Sequence, residues 1–476
     1  MGVLEMNVTI RNKIFVEDPT PEMLAYCKST LSFPNPEYLK KEALGKWTGN
    51  TQREIVLYER AGNRLALPFG TIREVYKRFK NDITAFKVDI RPVEPRDYGS
   101  GINLYPYQKF ALERVLRAKN GILVSPCGSG KTQMGLAIAA AIGGRTLWLT
   151  HTVDLLRQSM ERAKACFGLK AEEYGTITAG KVDIGNTITF ATVQTACNID
   201  LSQYRDEWDC VIVDECHKCV GSPTKMMMFY KVVSNLSARY KIGLTATPYR
   251  ADGLHRCMFA LLGEVAYEVP KEAVSGNTVP VKVTFVETHY RPDVDAIEDG
   301  DGTLNYAKLI SDITENVKRN EVIIQQIFEA SRNGAVLVLS DRINHLEDLE
   351  TEITMYSPYN IKCARLGIAS TKAEKERRAR ILTDLNNGAL NAVFATYNLA
   401  KEGLDVPNLR TVVFATPQKD KTTVIQSAGR VARKADGKDF GTVIDFSDDF
   451  GLLYGYEKKR RGYYKKNFYD FLSKND

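Results

Sequence analysis

Residues 121–142 read GILVSPCGSGKTQMGLAIAAAI, and this stretch indicates the fold of the chain around it. The four apolar residues at its start predict a buried strand, and TQMGLAIAAAI is compatible with a helix. A Gly-bearing turn between them directs backbone N–H groups toward a phosphate, and the helix dipole adds to that attraction. Gly128 and Gly130 permit close approach of the backbone. Lys131 is predicted to contact the β- and γ-phosphates of a nucleotide, and Thr132 to ligate Mg²⁺.

A second apolar run ends in two adjacent carboxylates. Residues 210–218 read CVIVDECHK, with Asp214 and Glu215 directly after four apolar residues. We predict that Asp214 holds the magnesium ion and that Glu215 polarises the attacking water. A strand end with two solvated acids is the alternative, and the phosphate-binding loop upstream argues against it.

Short apolar runs alternate with helical segments over most of the chain. From Asn103 to Leu262 the runs are GILVSP, TLWLTH, TITFATV, DCVIVDE and YKIGLTATP. From Ala335 to Ser447 the pattern returns in AVLVLSD, AVFATYN, TVVFATP and GTVIDFS. Each run is typical of a buried strand of a parallel, doubly wound sheet. We therefore expect an α/β protein with two tandem parallel-sheet lobes.

Changes in composition divide the chain into five segments. The first combines half-exposed strand patterns with helical patterns, which predicts a small α+β accessory domain. The third is acidic and Gly-rich and then helical from Tyr306 to Ala330, which indicates a linker with a helical insert. The last is a basic, aromatic tail. The segments are residues 1–100 (accessory domain), 101–265 (first lobe), 266–334 (linker), 335–450 (second lobe) and 451–476 (tail).

The composition is that of a globular protein, with 44% hydrophobic and 26% charged residues. No apolar stretch approaches the ~18 residues of a membrane span, and the first residues lack a signal-peptide pattern, so we expect a cytoplasmic protein. Nine cysteines are then interpreted as reduced thiols, and the pair Cys216 and Cys219 lacks the second ligand pair of a zinc site. A net charge of +7 permits a polyanionic partner without requiring one.

The Asp-Glu-Cys-His sequence after the second strand resembles the signature of the DExH group of superfamily 2 helicases. The resemblance implies two RecA-like lobes that hydrolyse ATP with Mg²⁺ and move along nucleic acid. Gln108, in the sequence LYPYQKFAL, matches the adenine-reading glutamine of these proteins. The nucleotide contacts implied in this way are Gln108, Gly128, Ser129, Gly130, Lys131, Thr132, Gly403 and Asp405.

Further motifs of this superfamily follow in order. LWLTHTVDLLRQ (147–158), FATVQTA (190–196) and VFATYNLAKEGLDVPNL (393–409) resemble its backbone-contacting motifs, and LTATP (244–248) resembles the motif that couples nucleotide to nucleic acid. The nucleic-acid contacts implied by these matches are Thr150, His151, Thr192, Gln194 and Thr396.

The sequence QSAGRVAR (426–433) resembles helicase motif VI. By itself, an arginine pair on a helix is more often a solvated face or a salt-bridge partner. The resemblance implies instead that Arg430 and Arg433 reach the γ-phosphate across the cleft between the lobes, so that ATP closes the cleft and hydrolysis opens it. The catalytic residues predicted for the whole chain are Lys131, Asp214, Glu215, Gln426, Arg430 and Arg433.

We expect the nucleic acid along which the protein moves to be DNA rather than RNA. The signature differs from that of the RNA-unwinding DEAD-box group, and YRADG (249–253) resembles the Arg-x-Asp element that follows motif III in XPB-like DNA remodellers. Its functional residues would be Arg250, as a nucleic-acid contact, and Asp252. A helix-capping salt bridge is the alternative interpretation of this pair.

The N-terminal segment carries a finer resemblance. KWTGN (46–50) and LALPFGTIREVYKRF (65–79) resemble the front domain of the UvsW-like branch-migration helicases of tailed phages. This resemblance implies a monomer on branched DNA, active in fork regression, Holliday-junction branch migration and R-loop unwinding, in the cytoplasm of an infected bacterial host. It also implies DNA recognition by the accessory domain.

The tail also suggests a nucleic-acid partner. From Leu452 to Asp476 it has seven Lys or Arg and three acidic residues, a net charge of +4, interleaved with aromatic rings. Lysines such as Lys465 are predicted to neutralise phosphates while the rings stack on bases or pack on the lobe. The alternative is a solvated amphipathic helix docked by its aromatic side chains.

Three other functions remain open. The first is an RNA or RNA–DNA hybrid helicase. The second is a clamp on DNA that ATP switches between two states without translocation. The motor subunit of a restriction system is a third candidate, weakened because no nuclease-like pattern of acids and lysine occurs outside the lobes.

Overall fold

The structure is a computed structural model. It describes residues 6–99, 101–126, 128–178, 181–220, 223–250, 252–274, 278–300, 302–356, 361–367, 371–401, 404 and 406–468. The chain divides into two compact units, Met1–Pro126 with Gly130–Ala273 and Cys127–Ser129 with Val274–Asp476. In the described residues, none of the helices combines the length and the apolarity that crossing a bilayer requires.

The first unit begins with a small α+β domain, as the sequence predicts. Its elements are β1 (Met6–Ile10), β2 (Ile14–Glu17), α1 (Pro21–Thr30), β3 (Ser32–Pro34), α2 (Pro36–Ala43), β4 (Glu54–Val56), β5 (Glu59–Ala61), β6 (Arg64–Leu67), α3 (Ile72–Phe79) and β7 (Ile83–Val88). A five-stranded sheet has the order β5-β6-β2-β1-β7, and β3 pairs with β4. Apolar residues alternate along β1 and so bury one face of the sheet.

Two helices of this domain begin at a cap residue followed by proline. The side chains of Thr20 and Asn35 accept hydrogen bonds from the backbone N–H groups of Met23 and Glu37, at 3.3 and 3.0 Å. The prolines that follow have no N–H to leave unpaired in the first turn. Local sequence therefore sets where α1 and α2 start.

The α+β domain shares one hydrophobic core with the first lobe. The hydroxyl of Tyr230, in the lobe, donates to the Leu57 carbonyl at 2.8 Å. Gly70 approaches the lobe so closely that a Cβ at this position would lie 2.3 Å from the backbone nitrogen of Gly263. The boundary predicted at residue 100 thus separates two segments of sequence within one compact unit.

A buried lysine crosses this internal boundary. Lys241 is 0% exposed, and its Nζ donates to the carbonyls of Asn12 and Val233 at 3.2 and 3.0 Å. It also lies 4.5 Å from the centroid of the Phe69 ring. Burial, and then the charge of Lys13, lowers the pKa of Lys241 to about 7.

This lysine should make the stability of the first unit depend on pH. Below about pH 7 Lys241 is protonated in both the folded and the unfolded chain. Its contribution to the free energy of unfolding therefore does not change with pH in that range. From about pH 7 up to its ordinary pKa of 10.5 only the unfolded chain holds the proton, and the free energy of unfolding rises with pH. We expect Lys241→Met to reduce that slope by about 1.4 kcal/mol per pH unit in urea unfolding curves. Lys40→Met, at an exposed position, is the control, and equal slopes in both variants would contradict the expectation.

The first lobe is a mostly parallel sheet flanked by helices. Its elements are α4 (Pro106–Ala118), β8 (Gly121–Val124), α5 (Lys131–Ile142), β9 (Thr146–Thr150), α6 (Val153–Phe167), β10 (Tyr174–Thr178), β11 (Lys181–Asp183), β12 (Ile188–Thr192), α7 (Val193–Cys197), β13 (Cys210–Val213), α8 (Cys216–Val220), α9 (Pro223–Asn235), β14 (Tyr240–Thr245), α10 (His255–Leu262), β15 (Val265–Glu268) and α11 (Lys271–Val274). The order is β11-β10-β12-β9-β13-β14-β8-β15, and the β10–β11 pair is antiparallel. The five predicted strands are confirmed, and β15 extends the sheet beyond the predicted end at residue 265.

The second lobe is a parallel sheet of six strands. Its elements are β16 (Val281–Glu287), α12 (Val294–Ile297), α13 (Tyr306–Glu315), α14 (Val317–Ser331), β17 (Ala335–Ser340), α15 (Ile343–Tyr356), β18 (Cys363–Arg365), α16 (Lys372–Asn386), β19 (Ala392–Thr396), α17 (Tyr397–Lys401), β20 (Leu409–Phe414), α18 (Lys421–Ala428), β21 (Gly441–Ser447) and α19 (Gly451–Asn467). The order is β16-β21-β20-β17-β19-β18, with every pair parallel. The four predicted strands are β17, β19, β20 and β21.

Part of the predicted linker belongs to this sheet. β16 lies within residues 266–334 and pairs with β21 along its whole length, so the linker prediction is wrong for these residues. Its sequence, VKVTFVE, alternates between buried and half-buried positions because the strand is at the edge of the sheet. The predicted helical segment is two helices, α13 and α14, and Asn316 between them caps α14 by accepting the Arg319 N–H at 3.0 Å.

The predicted tail is also part of the second lobe as far as residue 467. Arg460, on α19, donates to both carboxylate oxygens of Asp445 at 2.7 and 3.0 Å, and both side chains are 1% exposed. The Tyr464 hydroxyl donates to the same carboxylate at 3.0 Å. This buried network fixes α19 on β21, so a separate tail is the wrong description of residues 451–467.

Candidate active site

The turn after β8 has the backbone conformation of a phosphate-binding loop. Gly128 and Gly130 have φ values of +80° and +77°, a region that favours glycine. Ser129, between them, is buried. α5 begins at Lys131, and its first turn, KTQM, has no acidic side chain to oppose a bound anion. The N–H groups and dipole of this helix therefore favour a phosphate at its start.

Four side chains predicted to act on the nucleotide lie close together. The Thr132 hydroxyl oxygen is 3.5 Å from Asp214 Oδ2, and Lys131 Nζ is 3.7 Å from Glu215 Oε1. They meet because β8 and β13 are parallel strands of one sheet, whose carboxyl ends lie along the same edge.

The carboxylates are positioned by an uncommon backbone conformation. Glu215 has a φ of +46°, which few residues other than glycine adopt. Its backbone N–H donates to Asp214 Oδ1 at 3.0 Å. Such strain concentrates at functional sites, and here it turns the chain sharply after β13 so that both acids face the loop.

The two adjacent acids differ in their tendency to ionise. Burial, reinforced by the charge of Glu215, raises the pKa of Asp214. Burial acts in the same direction on Glu215, but Lys131 and then His217 outweigh it and lower the pKa of Glu215. Glu215 is thus the ionised member at neutral pH, as a proton acceptor must be.

These side chains fit a magnesium–nucleotide complex. The Thr132 hydroxyl and the Asp214 carboxylate are oxygen donors of the kind Mg²⁺ prefers. No group of three or more His, Cys, Asp or Glu within the described ranges is arranged to hold a metal ion. Glu215 Oε2 is buried without a hydrogen-bond partner in the described part of the chain, and His217 Nδ1 lies 3.4 Å from it.

Gln108 lies against the phosphate-binding turn. Its side chain is 1% exposed, and its Oε1 accepts the N–H of Tyr105 at 3.0 Å, at the start of α4. A Cβ on Gly130 would lie 2.7 Å from Gln108 Nε2, so this glycine makes room for the amide. Reading of adenine by Gln108 stays a prediction. Gly403 and Asp405, the other predicted nucleotide contacts, lie outside the described residues.

His217, whose Nδ1 lies 3.4 Å from Glu215 Oε2, is hydrogen-bonded to β14 and to the segment after it. His217 Nδ1 lies 2.8 Å from the hydroxyl of Thr245, and the His217 carbonyl accepts from Arg250 Nη1 at 2.9 Å. Burial lowers the pKa of His217 to about 4, so the ring bonds Thr245 in its neutral form at pH 7. We assigned no role to His217 from the sequence, although it stands in the Asp-Glu-Cys-His signature.

Arg250 and Asp252 form the salt bridge that was the alternative interpretation of this element. The guanidinium donates to both carboxylate oxygens at 3.0 and 2.5 Å. Asp252 also accepts the N–H of Leu254 at 3.2 Å, just before α10. A contact of Arg250 with nucleic acid stays a prediction.

The other predicted nucleic-acid contacts differ in exposure. Thr150 and Thr192 are 0% and 5% exposed. The Thr150 hydroxyl donates to the Thr152 carbonyl at 2.9 Å, and Thr192 caps α7 by accepting the Thr195 N–H at 3.2 Å. These hydroxyls therefore bond to the residues at which α6 and α7 begin. The neighbouring side chains are the part of each motif that is accessible to a nucleic acid. His151, Gln194 and Thr396 are half-buried and Lys465 is exposed.

In the second unit, the predicted catalytic residues lie on α18 and just after it. Gln426 is 9% exposed, and its Oε1 has no hydrogen-bond partner in the described part of the chain. Arg430 donates to the carbonyls of Leu404 and Ala400 at 2.6 and 3.0 Å. Arg433 follows the short helical turn Gly429–Ala432. Arg430 thus supports the segment after β19, a structural role that the sequence did not indicate.

Two family models match the chain in the order of the lobes. Residues 101–250 match the model described as "Type III restriction enzyme, res subunit". Residues 318–435 match the model described as "Helicase conserved C-terminal domain". Together they cover more than half of the 476 residues.

Two curated relatives align over most of their length. A protein of Acanthamoeba polyphaga mimivirus, named as an ATP-dependent RNA helicase, is 26% identical over 97% of this chain and 84% of its own. The DNA 3'-5' translocase XPB2 of Sulfurisphaera tokodaii is 27% identical over 70% of this chain and 80% of its own.

One solved structure with a TM-score above 0.5 shares the fold of the two lobes. The ATP-dependent Type ISP restriction-modification enzyme LlaBIII, bound to DNA, is 19% identical, with a TM-score of 0.57 over 78% of this chain and 30% of that chain. T4 UvsW is 20% identical, with a TM-score of 0.42 over 98% of this chain and 99% of that chain. The phosphate-binding turn, the Asp214–Glu215 pair and both family matches lead to one conclusion: the chain belongs to the superfamily 2 helicases and is an ATP-dependent helicase.

Proposed function

We propose that this helicase is a DNA translocase that remodels branched DNA by fork regression, Holliday-junction branch migration and R-loop unwinding. The observation that carries the proposal is the Arg250–Asp252 pair, which resembles the Arg-x-Asp element of XPB-like DNA remodellers. It is joined to the nucleotide site by the bond from Arg250 to the His217 carbonyl, two residues after Glu215. The archaeal relative named as a DNA 3'-5' translocase supports DNA as the track.

In this proposal ATP hydrolysis is divided between the lobes. Lys131 would neutralise the β- and γ-phosphates, and the Thr132 hydroxyl and Asp214 carboxylate would hold Mg²⁺, which would offset charge on the phosphates. Glu215 takes a proton from the attacking water.

The second lobe would complete the site. Arg430 and Arg433 act as fingers on the γ-phosphate, and Gln426 offers a buried amide beside them. Fingers that meet the γ-phosphate only in the closed form supply the difference in affinity that drives closure, and hydrolysis removes it. Repeated closing and opening would move the lobes along the backbone as a monomer.

The N-terminal domain would recognise the branch. Trp47, in the turn that resembles the front domain of UvsW-like helicases, has a side chain that is 89% exposed. Lys46, beside it, is also exposed. An exposed aromatic ring next to a cation suits stacking on unpaired bases near a phosphate backbone.

RNA or an RNA–DNA hybrid is the second candidate substrate. One observation favours it: the mimivirus relative, which aligns over 97% of this chain, is named as an RNA helicase. A DNA clamp that ATP switches without translocation would also use the site described above.

Unwinding assays on matched substrates test the proposal. We expect ATP-dependent unwinding of forked DNA, Holliday junctions and R-loops to exceed that of an RNA duplex, and displacement of a triplex strand at a distance from the loading site. Lys131→Ala is the control and should abolish each activity, because the phosphates lose their cation. Preferential unwinding of the RNA duplex would contradict the proposal, and absence of triplex displacement would favour the clamp.

A further inference from the structure

One face of α19 is exposed and strongly basic. Lys458, Lys459, Lys465 and Lys466 are exposed on this helix, as are the two glycines Gly455 and Gly462. The helix has one acidic residue, Glu457, which is buried and pairs with Arg461 at 2.7 Å. The exposed face of the helix itself therefore carries positive charge without a carboxylate.

This face is built from a repeat of seven residues. GYEKKRR (455–461) is followed directly by GYYKKNF (462–468), so the order Gly-Tyr-x-Lys-Lys occurs twice. Seven residues are nearly two helical turns, which returns each lysine pair to the same side of the helix about 10 Å further along its axis. The repeat thus presents two lysine pairs in line.

The two glycines have no packing role in the described structure. A Cβ at Gly455 or Gly462 would meet no atom within 4 Å, so no neighbour in the chain requires a bare backbone there. A glycine inside a helix is less stable than alanine at the same position. These positions leave the helix surface low beside each lysine pair, where a bulky partner can approach closely.

The aromatic residues of the repeat pack on the lobe, whereas Tyr454, just before it on α19, is 64% exposed. Tyr464 is fully buried, bonds Asp445 at 3.0 Å and lies 6.0 Å from the Phe285 ring. Arg460, fixed on the same carboxylate, also holds the helix in place. The buried tyrosine is thus unavailable for base stacking, and the lysine face is held on a rigid support.

We propose that the lysine face of α19 is a docking surface for the sugar–phosphate backbone of duplex DNA, with each Lys-Lys pair binding phosphates and the glycines allowing close approach. The inference rests on the proposed DNA-remodelling function and adds a DNA contact outside the helicase motifs. Charge complementarity between the lysine pairs and a polyanion argues for contact with the phosphates.

The test is the salt dependence of binding to a labelled DNA duplex. Each lysine–phosphate contact contributes about 0.9 to the slope of log K against log salt. We expect Lys458→Ala with Lys465→Ala, at equivalent positions of the two repeats, to reduce the slope by about 1.8 and to weaken binding similarly for different sequences. Arg377→Ala with Arg380→Ala on α16 removes the same charge from exposed positions of the same lobe and should change the slope far less.

A second pair of variants separates close approach from charge. Gly455→Gln with Gly462→Gln keeps the net charge and should raise the thermal midpoint, because glutamine is the better helix former. We expect weaker DNA binding despite the higher stability. An unchanged slope in the lysine variant, or an equal loss in the α16 control, would overturn the inference. If the wild-type protein bound RNA duplex in preference to DNA, the proposed function itself would fail.

Discussion

Glu215→Gln should reduce kcat for ATP hydrolysis by about 10²- to 10⁴-fold, the range that a positioned general base contributes. The amide keeps the shape of the side chain but cannot accept a proton from water. Lys131, 3.7 Å from Glu215 in the present structure, keeps its charge in this variant, so we expect ATP affinity to change little. Steady-state turnover and equilibrium binding of a fluorescent ATP analogue measure the two quantities separately.

The matched control for this variant is Glu161→Gln. Glu161 is an exposed glutamate on α6 of the same lobe, and its replacement removes the same charge far from the phosphate-binding turn. Turnover in that variant should equal that of the wild type. Residual activity of Glu215→Gln within tenfold of the wild type would show that another group accepts the proton.

Arg319→Ala should lower the free energy of unfolding of the second unit by about 3–5 kcal/mol, which is the usual cost of removing one partner of a buried ion pair. Arg319 and Asp448 are each 1% exposed, with Arg319 Nε 2.8 Å from Asp448 Oδ1. The guanidinium also donates to the Ala415 carbonyl at 2.8 Å, and Thr288 donates to Asp448 at 2.6 Å. In the alanine variant, the Thr288 hydroxyl would be the side-chain donor left to the buried Asp448 carboxylate among the described residues. Urea unfolding measures the change.

The neighbouring carboxylate provides the control. Arg291 lies 3.6 Å from Asp449, but their side chains are 78% and 42% exposed. Water screens this pair, so Arg291→Ala should cost under about 1 kcal/mol. Arg319→Met combined with Asp448→Leu removes both buried charges and should recover part of the stability lost in Arg319→Ala. Equal destabilisation by the two arginine variants would refute the role assigned to burial.

The sequence alone predicted those features that depend on consecutive residues. The phosphate-binding turn needs its glycines, Lys131 and the following helix within a dozen positions, and Asp214 and Glu215 need only the apolar strand before them. Strands buried on both faces are continuous apolar runs, which is why nine of them were recognised. Once the strands are known to be parallel, the shared edge that brings Thr132 to Asp214 follows.

Tertiary structure decided the features that depend on residues far apart in the chain. The edge strand β16 alternates like a half-exposed strand, so its place in the second sheet emerges only from its pairing with β21. Arg319 and Asp448 are 129 positions apart, and neither residue alone indicates the other. Three further features depend on residues that are far apart in the chain. They are the core shared by the α+β domain and the first lobe, the hydrogen bond from Arg430 to the Leu404 carbonyl, and the anchoring of α19. Local geometry is encoded by neighbours in sequence, whereas burial and partner choice are set by whichever distant surfaces exclude water together.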